Sequence, residues 1–227
     1  MIVFKNVTKI FSPNIVALDN ISFEIKSGEF VLIIGKSGAG KSTVLKLINK
    51  QLEPTKGDIF YKNVKITNIS SKKKRELRRK ITTIYQDFKL LFKKTVFENL
   101  ALALEIWGKS EKEIEKEVLF IAEKLKIKDK LNQKAETLSG GEMQKVCLAR
   151  SLLFKPEVIL ADEPTGNLDP LSSLEIIEIL KDLNKEGITI ILATHNKEIV
   201  NSLKTRVLTL ENGRLISDKN PGNYSLG

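Results

Sequence analysis

The chain has almost none of the residues that fasten a fold covalently. Its 227 residues include one cysteine, Cys147, so no internal disulfide is available and a reducing cytosol is the natural compartment. Histidine is as scarce, with His195 alone. No uncharged apolar run approaches the roughly 18 residues of a membrane-spanning helix. The opening stretch MIVFKNVTKIF lacks the charged-then-apolar order of a signal segment and reads as an edge strand. Internal repeats and low-complexity linkers are missing too. One domain over 1–227 is expected, with room for a small inserted subdomain.

What the chain does have is an apolar fraction of 41%, enough for a sizeable core, and a formal net charge of +10. Part of that charge is local: SKKKRELRRK, residues 71–80, sets seven basic residues against one glutamate. Such a surface suits anionic partners, nucleic acid or acidic lipid, and a solvated helix face explains it equally well. Short β-branched apolar runs recur at EFVLIIG (29–35), ITTIYQ (81–86), VILAD (158–162) and ITIILAT (188–194). Each adjoins a helical pattern, which points to parallel strands in an α/β sheet. The front of the chain alternates more and looks antiparallel. Near the end, RVLTLENGRLI reads as a hairpin turning at Asn212-Gly213.

The middle has a helical period. Ile114, Val118, Ile121 and Leu125 fall on one face, with Ser110 and Glu113 spaced as a capping box. Residues 87–155 are therefore expected to form a helical insertion between two core strands. The tail SDKNPGNYSLG, 217–227, reads as loose.

Chemistry concentrates at three strand ends. GKSGAGKS, residues 35–42, matches the phosphate-loop pattern between a strand and a helix. Backbone N–H groups along Gly35, Ser37, Gly38, Ala39, Gly40, Lys41, Ser42 and Thr43 can close around phosphates. Lys41 would reach the β- and γ-phosphates, and Ser42 would offer its hydroxyl to Mg2+. After VILAD, Asp162 would hold Mg2+ through water, and Glu163 would act as general base on the attacking water. His195 ends another apolar strand, within reach of a γ-phosphate. LSGG, residues 138–141, opens a second helix with a glycine pair, which raises the question of why one domain needs two such openings.

Together with LSGGE (138–142), YQD (85–87), ADEPTGNLD (161–169) and ATH (193–195), in this order, the chain resembles the ATP-binding subunits of ABC transporters over nearly its whole length. That resemblance implies a P-loop NTPase core, mainly a parallel sheet, with an N-terminal antiparallel β subdomain and an inserted α-helical one. It implies an ATPase using ATP and Mg2+, lying peripherally on the cytoplasmic face of a membrane beside an integral membrane partner. It also implies a head-to-tail homodimer, in which Ser139, Gly140 and Gly141 of one subunit close on the γ-phosphate held by the other and Asp169 contacts the opposite subunit. On the same ground Gln86 would ligate Mg2+, serve catalysis and link to the membrane partner, while Phe11 would stack on adenine.

GKSGAGKST, LRRKITTIYQDFKLL, TVFENLALAL and ILADEPTGNLD are similar to the cell-division branch of this family, which couples ATP use to activation of cell-wall hydrolases. Lipoprotein-releasing and macrolide-export ATPases share several of these phrases and form the alternative. Met143, Lys145 and Asn196 depart from the commoner family residues. A DNA-associated member would carry long coiled coils or tandem domains, and neither is present, so no specific nucleic-acid partner is expected. Glu163 and His195 speak against a non-hydrolysing module. Two surfaces are expected to meet partners. The apolar residues Phe88, Leu90, Leu91, Phe92, Val96 and Phe97 in DFKLLFKKTVF would dock the membrane protein, and the basic stretch 71–80 would face anionic lipid.

Overall fold

The computed structural model describes residues 1–224. In chain order the elements are β1 (Ile2–Phe11), β2 (Ile15–Ile25), β3 (Phe30–Ile34), α1 (Lys41–Ile48), β4 (Lys56–Tyr61), β5 (Val64–Lys65), α2 (Ser71–Lys80), β6 (Ile81–Tyr85), α3 (Val96–Glu105), α4 (Glu111–Lys124), α5 (Gly140–Leu152), β7 (Val158–Asp162), α6 (Pro170–Lys185), β8 (Thr189–Ala193), α7 (Lys197–Leu203), β9 (Arg206–Glu211) and β10 (Arg214–Lys219). One sheet runs β2-β1-β4-β5 and is antiparallel; the other runs β10-β9-β3-β8-β7-β6, with every pair parallel except the β9–β10 hairpin.

The parallel strands are buried on both faces, and their period of two divides the core. Leu32, Ile34, Ile159, Ala161, Ile190 and Leu192 join the cluster shared with α3–α6. Their neighbours Val31, Ile33, Val158, Leu160, Ile191 and Ala193 join the cluster under the antiparallel sheet and α1. Helices α3, α4 and α5 fall between β6 and β7. Each starts at a capping box, Thr95 with Glu98, Ser110 with Glu113 and Ser139 with Glu142, which satisfies N–H groups that a helix start leaves open. On α4, Ile114, Val118 and Ile121 point inward, and Leu125 follows them into the core.

Three expectations need correction. The opening strand is not an edge: β1 lies between β2 and β4, with Ile2 opposite both Ile25 and Tyr61. Alternation reports which face is buried and not how many neighbours a strand has. The tail is ordered as far as it is described. Ser217–Lys219 belong to β10, Gly222 N donates to Thr205 O at 2.9 Å, and 225–227 lie outside the described residues. The stretch 87–97 does not expose its apolar groups together. Leu90 and Val96 are buried, and Phe88 and Phe97 pack on the helical core. Leu91 and Phe92 alone of the six remain exposed, at 47% and 46%.

Helix α2 puts only part of its charge to solvent. Arg78 donates to the carbonyls of Asn49 and Lys50 at the end of α1, where a cation suits the helix dipole. Lys74 pairs with Glu53, and Arg79 lies 4.8 Å from the Trp107 ring centroid. Lys72, Lys73 and Arg75 have no carboxylate partner among the described residues. Among those residues no helix is long and apolar enough to cross a membrane.

One buried side chain makes three bonds to the 87–97 stretch. Asn99 accepts from Leu91 N at 2.8 Å and donates to Leu91 O at 3.0 Å and Thr95 O at 2.9 Å. Asn99→Leu keeps the volume but strands the Leu91 N–H and C=O groups. It is expected to lower stability by roughly 2–4 kcal/mol, as unpaired buried polar groups do. Urea unfolding should show a lower midpoint at unchanged slope.

Candidate functional site

The register of the parallel sheet decides where the polar groups meet. Asp162 stands level with Tyr85 of β6 and Ala193 of β8. The next residues out, Gln86, Glu163 and the Thr194–His195 pair, therefore leave the sheet at one edge. Gly35 leaves β3 at the same edge, since Ile33 is level with Ala193. The carboxyl ends of such strands are where open α/β sheets take ligands.

Between these ends lies a cavity of about 600 Å³, lined by Ala17, residues 36–43, Gln86, Glu163, His195 and Tyr224. The loop entering α1 can wrap it because Gly40 takes the left-handed region, φ 104°. A Cβ there would also meet Ala17 O and the Leu18 side chain at 2.7 Å. No side chain caps α1 and no acid sits in its first turn, so its leading N–H groups are left for an anion. Lys41 folds back to donate to Gly35 O at 2.9 Å and Lys36 O at 3.3 Å, with Glu163 Oε1 at 3.7 Å.

Glu163 holds a left-handed φ of 48°, which costs a non-glycine residue on the order of 1 kcal/mol or more. Its neighbours hold it there. Glu163 N donates to Ala193 O at 3.0 Å and Gly166 N to Glu163 O at 3.1 Å. Its Oε1 lies 2.9 Å from His195 Nδ1, and His195 N donates to Oε2 at 3.4 Å. The carboxylate is 15% exposed and the imidazole 67%. A proton on Nδ1 serves this contact, which leaves Nε2 an acceptor in the neutral ring and a donor only in the imidazolium.

A second cavity of about 550 Å³ adjoins, lined by Ser42, Lys46, Gln51, Tyr85, Gln86, Asp87, Lys89, Asp162 and Glu163. Ser42 Oγ donates to Asp162 Oδ1 at 2.9 Å. Burial pushes the Asp162 carboxyl above its ordinary range and Glu163 adds to this, while the Ser42 bond opposes it. Gln86 and Asn167 exchange bonds, Gln86 Nε2 to Asn167 Oδ1 and Asn167 Nδ2 to Gln86 O, both at 3.2 Å. The donor set fits Mg2+: hydroxyl, amide and carboxylate oxygens, and no cluster of three His, Cys, Asp or Glu among the described residues. A cation that arrives with phosphates and keeps its waters needs no more protein ligands than that.

The second glycine pair stands apart. Ser139 N and Oγ donate to Glu142 Oε2 at 2.8 and 2.9 Å, and Glu142 N donates back at 3.3 Å. Gly141 faces α6 so closely that a Cβ would lie 2.6 Å from Ser172 Oγ. Ser172 N in turn donates to Asp169 Oδ1 at 3.0 Å, so Asp169 caps α6. Ser139, Gly140, Gly141 and Asp169 thus gather at one place outside the 600 Å³ cavity. Phe11 also lies outside its lining, at the end of β1 opposite Ile15, with the Lys9 ammonium 5.1 Å from its ring.

The unusual residues have local partners. Lys145 reaches Glu175 on α6 at 2.6 Å, Asn196 caps α7 by accepting from Glu198 N and Ile199 N, and Met143 packs on the core. Sequence reasoning missed Ala17, Asn167 and Tyr224. Asn167 sits inside the ADEPTGNLD phrase and was within reach; nothing local marks Ala17 or Tyr224.

Known proteins resemble this chain over nearly its whole length. The family model described as ABC transporter matches residues 18–166. The cell division ATP-binding protein FtsE of Bacillus subtilis is 46% identical over 224 residues, covering 99% of this chain and 98% of that one. FtsE of Mycobacterium tuberculosis is 41% identical, covering 100% and 99%. An ATP-binding cassette solved as a dimer in a post-hydrolysis state, bound to ADP and Pi, superposes with a TM-score of 0.88 at 34% identity, covering 99% of this chain and 100% of that one.

Gly40→Ala tests the phosphate loop. A left-handed alanine costs about 1–2 kcal/mol before any clash, and the new methyl must push on Ala17 and Leu18. Binding of a fluorescent ATP analogue should be lost, with a modest drop in melting temperature.

Proposed function

The chain belongs to the ABC transporter family, and on that premise we propose that it is the ATP-hydrolysing subunit of an FtsE-type membrane complex. It is an ATPase. The observation that carries the reading is the division of its site. The phosphate loop, Ser42–Asp162 and Glu163–His195 share one sheet edge, while the capped glycine pair at Ser139 stands outside their cavity. Full-length similarity to two FtsE proteins supports the branch.

In this reading the N–H groups of Gly35, Ser37, Gly38, Ala39, Gly40, Lys41, Ser42 and Thr43 bind the phosphates, and Lys41 leaves its backbone carbonyls for the β- and γ-oxygens. Bound Mg2+, held by Ser42, Gln86 and, through water, Asp162, would neutralise developing phosphate charge. Once Lys41 turns to the nucleotide, Glu163 keeps only His195 as partner and can accept the proton of the attacking water. His195 positions that carboxylate and, in its imidazolium form, donates from Nε2 to the γ-phosphate. Phe11 stacks on the base. A second copy supplies Ser139, Gly140 and Gly141, with Asp169 beside them, and completes each site by two-fold symmetry. A membrane protein of the FtsX kind docks beside Gln86, on exposed Leu91 and Phe92, and holds the ATPase at the cytoplasmic face.

Glu163→Gln is expected to keep ATP binding and lose turnover by about 10²–10⁴-fold, the usual weight of a general base. That variant with Mg-ATP should elute as a dimer on sizing and as a smaller species with ADP. Adding Ser139→Arg should abolish the shift. Phosphate release at the wild-type rate from Glu163→Gln, or a dimer unaffected by Ser139→Arg, overturns the assignment. Phe92→Asp should remove co-purification with the membrane protein while leaving the ATP-driven dimer intact.

A further inference from the structure

The C-terminal tail brings one more side chain to the site. After β10 ends at Lys219, paired with Val207, the chain turns back along β9. Gly222 N donates to Thr205 O at 2.9 Å, and a Cβ on Gly222 would lie 2.6 Å from the Val207 side chain. Only glycine allows that approach. Two residues on, Tyr224 N donates to Asn201 Oδ1 at 3.1 Å. Asn201 belongs to α7, the helix that Asn196 caps directly after His195. The same short helix therefore anchors both His195 and the tail. The Tyr224 side chain is half-buried against the main apolar cluster and lines the 600 Å³ cavity with the phosphate loop, Glu163 and His195.

We propose that Tyr224 is a nucleotide-positioning residue, its hydroxyl donating a hydrogen bond to a phosphate oxygen of the bound nucleotide. The inference rests on the ATPase reading above. A phenol is a neutral donor, so it adds direction to a site whose lining already carries the ammonium groups of Lys36 and Lys41, without adding charge. No other group among the described residues takes up that hydroxyl. Its ring meanwhile covers part of the cavity wall. The tail thereby makes nucleotide affinity depend on how well residues 220–224 are seated on β9 and α7.

The test uses the full chain and a fluorescent ATP analogue, with ATPase kinetics alongside. Tyr224→Phe removes the hydroxyl alone and should raise the dissociation constant and KM for ATP about tenfold, the scale of one hydrogen bond to a charged acceptor. The change should fall on KM, with kcat at saturating ATP moving far less and the melting temperature unchanged. Gly222→Val keeps the Tyr224 hydroxyl in the chain but unseats the tail that places it, and it should weaken binding to a similar degree. Wild-type-like binding by Tyr224→Phe overturns the proposal, as does weakened binding confined to Gly222→Val. Wild-type protein that binds no ATP would instead overturn the ATPase reading itself.

Discussion

The site depends on the register of four parallel strands. Because Tyr85, Asp162 and Ala193 stand level, and Ala193 is level with Ile33, four chain segments far apart in sequence leave the sheet together. A slip of one residue in β7 would exchange the faces of its side chains. It would turn Ile159 and Ala161 away from the helices and carry Asp162 off Ser42. The apolar alternation that splits the two core clusters is thus the same constraint that holds Ser42 and Asp162 at 2.9 Å. Core burial sets the place of Asp162 at the strand end, and polar bonds then hold Glu163 beside it.

The two helix openings differ in what already occupies them. At α1 the first turn has no acid and no cap, so its N–H groups and dipole are available to an anion from the outset. At α5 the Glu142 carboxylate already takes the Ser139 N–H and hydroxyl, and the Lys130 ammonium pairs with the same carboxylate. The Ser139 N–H, and after it Lys130, hold Glu142 below its usual range, so it stays charged and keeps its place. An anion approaching α5 must compete with that carboxylate. Such an opening is a weak binder by itself and suits a phosphate presented rigidly by another surface. On the proposed reading, that difference accounts for two glycine-rich helix starts in one domain: one would hold the nucleotide, and the other would add to a grip made elsewhere.

Most of the fold was legible because its signals were local. The parallel strands were continuous apolar runs, α4 had its period and its capping box, and Asn212-Gly213 turns the final hairpin with both residues at positive φ. What escaped was non-local. The place of β1 between β2 and β4 depends on a strand more than forty residues on. Val96 and Phe97 turn inward because they open α3 against the helical core, with their N–H groups on the carbonyls of Gln133 and Leu131, contacts that a list of exposed-looking apolar residues does not contain. The tail looked loose because the last residues of a chain are poorly ordered unless something ties them down. Here Gly222 is required by closeness to Val207 rather than by a turn. For the candidate site, Ser42 was found in the phosphate-loop pattern and Asp162, Glu163 and His195 at strand ends; Ser42 meets Asp162, and Glu163 meets His195. Phe11 was placed by resemblance alone, and its ring lies outside the cavity lining.

Glu163 shares a partner with the phosphate loop. Its backbone is held left-handed by bonds from Gly166 and to Ala193, and Oε1 is shared between His195 at 2.9 Å and Lys41 at 3.7 Å. A phosphate chain in the loop competes for Lys41 with the carbonyls of Gly35 and Lys36 and with Glu163 at once. On the proposed reading the more highly charged phosphates draw the ammonium away, and Glu163 is left with His195 as its remaining side-chain partner. The coupling runs through one lysine side chain and needs no movement of the sheet, whose strand ends stay where the core has set them.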